Sequence, residues 1–470
     1  MFLILLVSPQ LWGQRQSLAQ QLDSLIHKKL DPGSDIGVSV YDLTTREQLY
    51  TYRDDKLSRP ASTMKLITVV TALSQLDYNE PFSTEVWYKG IVQQDTLFGD
   101  LYVIGGFDPE FGDSAMNAVI DQVAGSPFSV ITGKVYGDVS MKDSLYWGNG
   151  WSWDDTPDSY QPYMTPLMFN KGFVCVTAMP GVRGDTASIV CEPVSGFYTL
   201  SNETQTRAST AGKFTVSRNW LEGKNDIVVK GNVERKRQGE VNIYPSQDFF
   251  MHVFTERLHA KGVNMLQPGY EFSEFTQDSV SMRVAQWGTS LQDVVNQVMK
   301  ESDNLGAEAL LCKLAVHAKK EKKVSWKDGL EVIKEQVSAV GQDPKKYKLA
   351  DGSGLSNYNY ISPALLVDFL KYAYSNTDLF QRLYRSLPVA GVDGTLENRM
   401  GKGTKSYMNV HAKTGTITAI STLTGYLKAA NGHDIAFAIM NQNCLSGAKS
   451  RDLQNQICEM LCLYNKKKAK

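Results

Sequence analysis

Between about residues 82 and 286 the sequence changes texture, and that change limits the folds open to the chain. Inside these bounds run short strand-like stretches, such as 84–88, 101–104, 129–135 and 226–229, separated by Gly, Asp, Asn and Pro and with little helical periodicity. Outside them the pattern favours helices. Residues 16–30 place Leu18, Leu22, Leu25 and Ile26 on one face, and 290–301 do the same with Leu291, Val294, Val295, Val298 and Met299. Further helices are expected through Ala307, Leu310, Leu311, Leu314 and Ala315, over about 327–340 and over about 448–464. Two strands, 35–43 and 47–52, join through Thr44-Thr45-Arg46. Three more, 410–417, 421–427 and 434–440, come late, with the hairpin signal Asn431-Gly432 between the last two. Early and late strands fold most simply into one antiparallel sheet with helices on both faces, the β-rich block being an insertion.

Lysine plus arginine (49) nearly balance aspartate plus glutamate (50), so no global field attracts nucleic acid or an acidic partner. Six cysteines are too few for a disulfide scaffold in 470 residues. Cys175 and Cys191 sit on two strand-like runs of one hairpin, where a disulfide and two buried thiols are both open readings. Cys458 and Cys462 lie one helical turn apart and are expected to pack. The six histidines show no metal-binding companion pattern, so neither a metal nor a cofactor is expected. No later stretch has the apolar length that spans a bilayer. Residues 1–14 carry an apolar run at 2–7 followed by Ser8-Pro9, like the end of a secretory signal peptide without its basic start; export is the expectation, a buried segment the alternative. The lysine-rich 466–470 reads as a tail.

Pro60-Ala61-Ser62-Thr63-Met64-Lys65 opens an apolar helix, and its spacing puts the Ser62 hydroxyl and the Lys65 amine on one face. A serine hydroxyl is a poor nucleophile unless a base lies within hydrogen-bond reach. A lysine serves as that base when its amine is neutral, which burial and nearby positive charge favour. Such a pair is common by chance, and its weight comes from two further motifs. Ser302-Asp303-Asn304 interrupts two helices, and Lys413-Thr414-Gly415 lies on a strand entering a hairpin. The three together, in this order, are the set used by class A β-lactamases and penicillin-binding proteins.

On these motifs the sequence resembles the class C, type 4 low-molecular-mass penicillin-binding proteins, the D-alanyl-D-alanine carboxypeptidase/endopeptidase family. Ser302 follows Ser62 by 240 positions (302 minus 62), a gap that matches the large insertion of that family. Gly105-Gly106-Phe107-Asp108-Pro109, Gly150-Trp151-Ser152-Trp153-Asp154-Asp155, Asp351-Gly352-Ser353-Gly354-Leu355-Ser356 and Gly394-Thr395-Leu396 extend the match. The resemblance implies an α/β, transpeptidase-like fold: an antiparallel sheet flanked by helices with a large β-rich insertion. Its catalytic domain would be discontinuous (15–81 and 287–465), with 82–286 as an inserted module of one or two subdomains.

The resemblance also implies an exported, periplasmic serine DD-carboxypeptidase with DD-endopeptidase activity on peptidoglycan stem peptides, acylated by β-lactams. In that reading Ser62 is the nucleophile and Lys65 its base, kept neutral by Lys413. Ser302 relays the proton, Asn304 holds substrate and Lys65, and Lys413 with Thr414, Gly415 and Thr416 receives the terminal carboxylate. The backbone N–H groups of Ser62 and Thr416 would form the oxyanion hole. Asp155 and Tyr160 would border the cleft and read the third stem residue, or else only pack the module. Two departures stand out: Asn357 occupies the place of a usual arginine, and Phe107 that of a usual glycine. His411 reads as a strand residue beside the site. Alternatives are a β-lactamase or esterase on the same scaffold, for which no E-x-x-L-N stretch is found, and an inert wall-binding module.

Overall fold

Ser17 caps the first helix: its hydroxyl accepts from the Gln20 N–H, while the Gln20 side chain accepts from the Ser17 N–H. The structure, a computed structural model, describes residues 17–207, 212–319 and 323–465, so the leader-like segment and the basic tail lie outside it. The helices are α1 (Leu18–Lys29), α2 (Met64–Gln75), α3 (Asp113–Ala124), α4 (Ser246–Ala260), α5 (Leu291–Lys300), α6 (Asn304–Lys319), α7 (Trp326–Ala339), α8 (Pro363–Ser375), α9 (Thr377–Ser386) and α10 (Gly447–Cys462).

The early and late strands form one antiparallel sheet in the order His411–Ile417, Ile420–Lys428, Asp434–Gln442, Asp35–Asp42, Glu47–Tyr52. Val38 faces Ile439 and Thr422 faces Met440 across it. α1 and α10 cover one face, burying Leu22 and Ile26 with Val38, Leu423, Leu453 and Ile457. The other face carries α2 and α5 to α9 around Met64, Leu66, Val294, Leu310 and Phe369. Covering both faces explains why Ile420–Lys428 is buried at every residue but its last. α2 is enclosed in the same way: all residues 64–73 are buried, so it shows a continuous apolar run rather than a stripe. Each buried Leu, Ile, Val or Met there contributes about 1.5–3 kcal/mol.

The strand Phe82–Gln93 leaves this body and pairs with both Thr96–Ile104 and Ser281–Thr289, Phe82 lying opposite Thr289. The chain therefore departs and returns side by side. Between these points lie two three-stranded sheets, further short strands, and the helices α3 and α4. The two helices add to the reading of this block as β-rich with little helical periodicity. α4 buries Phe249, Phe250, Met251, Val253, Phe254 and Leu258, which surround it and leave no periodic stripe to detect. Residues 129–135 are not one strand but contribute to two, Val130–Ile131 and Val135–Asp138. α8 and α9, not anticipated above, fill 363–386.

The cysteine hairpin forms, from Phe173–Met179 and Ser188–Glu192, but its register sets Cys191 opposite Val176 and Cys175 opposite Glu192. An offset of one residue turns the two side chains to opposite faces, and both are free thiols. Cys458 and Cys462 are buried against the α1–α10 face of the sheet.

Candidate active site

Before α2 the chain makes a short 3-10 turn, Ala61–Thr63, which carries Ser62, while Lys65 falls in the first turn of α2 itself. Lys65 is fully buried, and its Nζ lies 3.0 Å from Ser62 Oγ, 2.6 Å from Asn304 Oδ1 and 2.8 Å from the Ser353 carbonyl. The chemistry of these partners matters. The two carbonyl oxygens only accept, whereas the hydroxyl can donate. The ammonium donates to all three oxygens; on losing a proton the amine still donates to both carbonyls and can accept from the Ser62 hydroxyl. The Asn304 amide is fixed in this orientation because its Nδ2 donates to the Tyr160 carbonyl at 2.7 Å.

Burial lowers the Lys65 pKa to about 8, against the opposing pull of the Asp351, Asp303 and Glu308 carboxylates. Lys413, also fully buried, is pushed well below the usual lysine value, first by burial and then by the charge of Lys65. The sequence reading had Lys413 holding Lys65 neutral. In the structure desolvation is the leading cause at Lys65, and the repulsion between the amines is felt at Lys413.

Lys413 Nζ donates to Ser302 Oγ at 2.9 Å and to the Thr414 carbonyl at 2.9 Å. Asn304 begins α6, so the second motif is a turn between α5 and α6. The third motif is locked against the first by the Thr422 hydroxyl, which donates to the Pro60 carbonyl at 2.7 Å. Gly415 makes this approach possible: a Cβ there would stand 2.2 Å from Thr422 Oγ1 and 2.9 Å from the Ser62 nitrogen. Ser62 of the first motif, Ser302 and Asn304 of the second, and Thr416, Ile417 and Thr418 just past the third line a cleft of about 380 Å³, with Ser152, Asp155, Tyr160, Leu355 and Asn357 completing its border. Thr414 stands apart from that lining, its hydroxyl donating to Thr395 Oγ1 at 2.8 Å.

Beneath Lys65 lies a support that the sequence reading missed. Glu308, fully buried in α6, accepts from the backbone N–H groups of Gly352 and Ser353 and from Trp326 Nε1. It thereby fixes the loop whose Ser353 carbonyl faces Lys65. Burial raises its pKa to about 7, and the nearby Asp351 charge adds to the rise. The signal was present as a carboxylate among Leu305, Ala307, Leu310 and Leu311 on a core helix, where an unpaired acid is not tolerated. The same loop depends on Gly354, at φ +81, where a Cβ would meet the Ala61 carbonyl oxygen at 1.9 Å. Gly354→Ala is expected to destabilise the protein by about 2–4 kcal/mol, through backbone strain and displacement of the Ser62 turn. Thermal unfolding would show it as a Tm lowered by several degrees; an unchanged Tm would contradict the argument.

The departures have local explanations. Phe107 is buried at φ +64, a left-handed conformation that costs a side-chain-bearing residue about 1–2 kcal/mol and that glycine adopts freely. Asn357 lines the cleft, and its Nδ2 donates to Ser152 Oγ at 3.3 Å. Asp155 also lines the cleft, accepting from the Tyr160 hydroxyl at 2.7 Å. His411 stacks on Tyr384, ring centroids 4.1 Å apart, and burial followed by the Lys300 charge lowers its pKa. Among the described residues no cluster able to hold a metal ion is found, and no helix is long and apolar enough to cross a membrane.

Comparison with known proteins adds to this geometry. The D-Ala-D-Ala carboxypeptidase 3 (S13) family matches over residues 18–463. The chain is 29% identical to the D-alanyl-D-alanine carboxypeptidase of Actinomadura sp. (strain R39), with 95% of this chain and 85% of that one covered. It is 24% identical to the D-alanyl-D-alanine carboxypeptidase DacB of Haemophilus influenzae, covering 91% and 89%. The crystal structure of penicillin binding protein 4 (dacB) from Haemophilus influenzae superposes with a TM-score of 0.82 at 23% identity, covering 94% of this chain and 99% of that one, a likeness of fold.

Proposed function

The chain belongs to the D-Ala-D-Ala carboxypeptidase 3 (S13) family and is a serine-type D-Ala-D-Ala carboxypeptidase, and we propose that it works through an acyl-enzyme on Ser62. The observation that carries the proposal is the buried Lys65 amine 3.0 Å from Ser62 Oγ, with its other two partners pure acceptors. Ser62 Oγ attacks the carbonyl carbon between the two terminal D-alanines as its proton passes to Lys65 Nζ. The backbone N–H groups of Ser62 and Thr416 receive the developing oxyanion. The C–N bond then breaks, the proton returning through Ser302 to the departing D-alanine amine. Water hydrolyses the ester and frees Ser62.

Lys413 has two hydrogen-bond acceptors and no ion-pair partner among the described residues. The substrate's terminal carboxylate supplies an anion that draws the Lys413 amine into its charged form against the effect of burial, with the Thr416 hydroxyl beside it and Gly415 leaving room for the peptide. Thr414, bonded to Thr395, acts at the margin of this pocket. Asp155 and Asn357, on the cleft wall, meet the stem-peptide side chain. Substrates on this reading are peptidoglycan stem peptides in the periplasm, cross-linked ones included, and β-lactams acylate the same serine. Residues 82–286 form an inserted module, a reading supported by the pairing of Phe82 with Thr289.

The test is D-alanine release from a synthetic acyl peptide ending in D-Ala-D-Ala. Because the base is the neutral amine, whose population grows as pH rises, the rate should climb with pH and level off above about 8. No release of D-alanine, or a rate flat from about pH 6 to about pH 9, would overturn the assignment.

A further inference from the structure

The inserted block grips the second motif through one side chain. Lys171 Nζ pairs with Asp303 Oδ2 at 2.7 Å and with Glu110 Oε1 at 2.9 Å. These three residues come from separate parts of the chain: the turn 170–172, the turn between α5 and α6, and the loop before α3. The other oxygen of Asp303 accepts from the Leu305 N–H at 3.0 Å, at the start of α6. Asp303 is thus held from both sides, by its own helix and by the inserted block.

Its neighbours are the groups that touch the two catalytic amines. Ser302 accepts from Lys413 Nζ, and Asn304 accepts from Lys65 Nζ. Ser302 sits at φ +63 with no glycine beside it in the motif, so the turn's shape is imposed from outside. Lys171 is itself held in a left-handed conformation at φ +54, after Asn170 at φ +48 and before Gly172 at φ +75. Asn170 fixes this bend, its N–H donating to the Phe111 carbonyl at 2.9 Å and its Nδ2 to the Phe173 carbonyl at 2.8 Å. Two strained turns are therefore joined by a mostly buried ion pair. Removing one partner of such a pair leaves an uncompensated charge rather than a neutral gap. Burial pushes the Glu110 carboxyl up to about 7 against the pull of Lys171, and the Lys171–Asp303 contact, at 2.7 Å, is the shorter of the two.

We propose that Lys171 is a positioning residue for the Ser302-Asp303-Asn304 turn, through which the inserted block sets the placement of the Ser302 and Asn304 side chains against Lys413 and Lys65. A shift of the backbone at Asp303 moves both side chains at once, and a displacement near 1 Å is enough to cost about a hundredfold in rate. The inference rests on the acyl-enzyme reading of Ser62.

The experiment follows acylation of the full chain by a fluorescent penicillin, separating the limiting rate from the half-saturating concentration, with Tm measured on every variant. Lys171→Met is expected to lower the limiting rate about 30- to 100-fold, with half-saturation moved less than about threefold. Lys171→Arg, which keeps the charge, should recover most of the loss. Glu110→Gln, which leaves the Lys171–Asp303 pair, should stay within about threefold of wild type. In an Asp303→Asn background Lys171→Met should cost less than about threefold more, because both act through one contact. A Lys171→Met rate within threefold of wild type overturns the proposal, as does a full additional loss in the Asp303→Asn background. Should Lys171→Met fail to fold, a Lys171→Arg or Glu110→Gln variant that folds but loses as much as about 30-fold in limiting rate would also overturn it. A wild type that takes no label at all defeats the acyl-enzyme reading instead, so the two failures are distinct.

Discussion

Ser62→Ala is expected to abolish covalent labelling by a fluorescent penicillin while leaving the fold intact. The reason lies in how the cleft distributes its hydroxyls. Ser62 Oγ is the one within 3.0 Å of Lys65 Nζ, the amine whose pKa burial brings down to about 8. Ser302 Oγ accepts from Lys413 Nζ at 2.9 Å, whereas Lys65 Nζ is bonded to Ser62, Asn304 and the Ser353 carbonyl. With Ser62 gone, no hydroxyl among the described residues is hydrogen-bonded to Lys65. The substitution removes one oxygen atom in a short turn whose other contacts, such as the Thr63 hydroxyl donating to the Pro60 carbonyl, remain. Labelling of the alanine variant as strong as wild type would remove Ser62 from the mechanism.

Lys65→Ala should lower the acylation rate on the order of a thousandfold, a loss of about 4 kcal/mol of transition-state stabilisation. Two effects combine in it. The base disappears, and general-base catalysis of this kind is worth roughly 10²–10⁴ in rate. The Asn304 amide and Ser353 carbonyl also lose their donor in a buried place, which costs about 1–3 kcal/mol for each group left unmade and loosens both walls around Ser62. Single-turnover acylation followed by gel fluorescence would measure the effect. An unchanged rate would mean that some other group accepts the serine proton.

How much of this was legible beforehand differs from residue to residue. The three motifs were readable because each lies in a context that its own sequence announces: an apolar helix start, a break between two helices, a strand entering a hairpin. The strands of the central sheet were readable for the same reason. Lys171 and Glu308 were not, because a lysine in a turn and a glutamate on a helix acquire meaning only through partners far along the chain. Asp303 lies 132 residues from Lys171, and Gly352 lies 44 from Glu308. The missed helix α4 has a different cause, since a helix covered on nearly all sides loses the periodicity that identifies helices. The disulfide left open between Cys175 and Cys191 depended on strand register, which a hairpin reading alone does not specify.

The pairing of Asp35–Asp42 with Asp434–Gln442 has a consequence in time as well as in space. As the chain is synthesised, its early strand waits for a neighbour made about 400 residues later, and contacts of such separation form slowly. The strand bearing Lys413, which lies against the Ser62 turn, is made with the late hairpin of His411–Ile417 and Ile420–Lys428. Residues 82–286 are synthesised well before that hairpin exists. On the proposed acyl-enzyme reading, Ser62 is made early but its Lys413 partner strand last, so a chain truncated before residue 410 is expected to carry Ser62 without reacting.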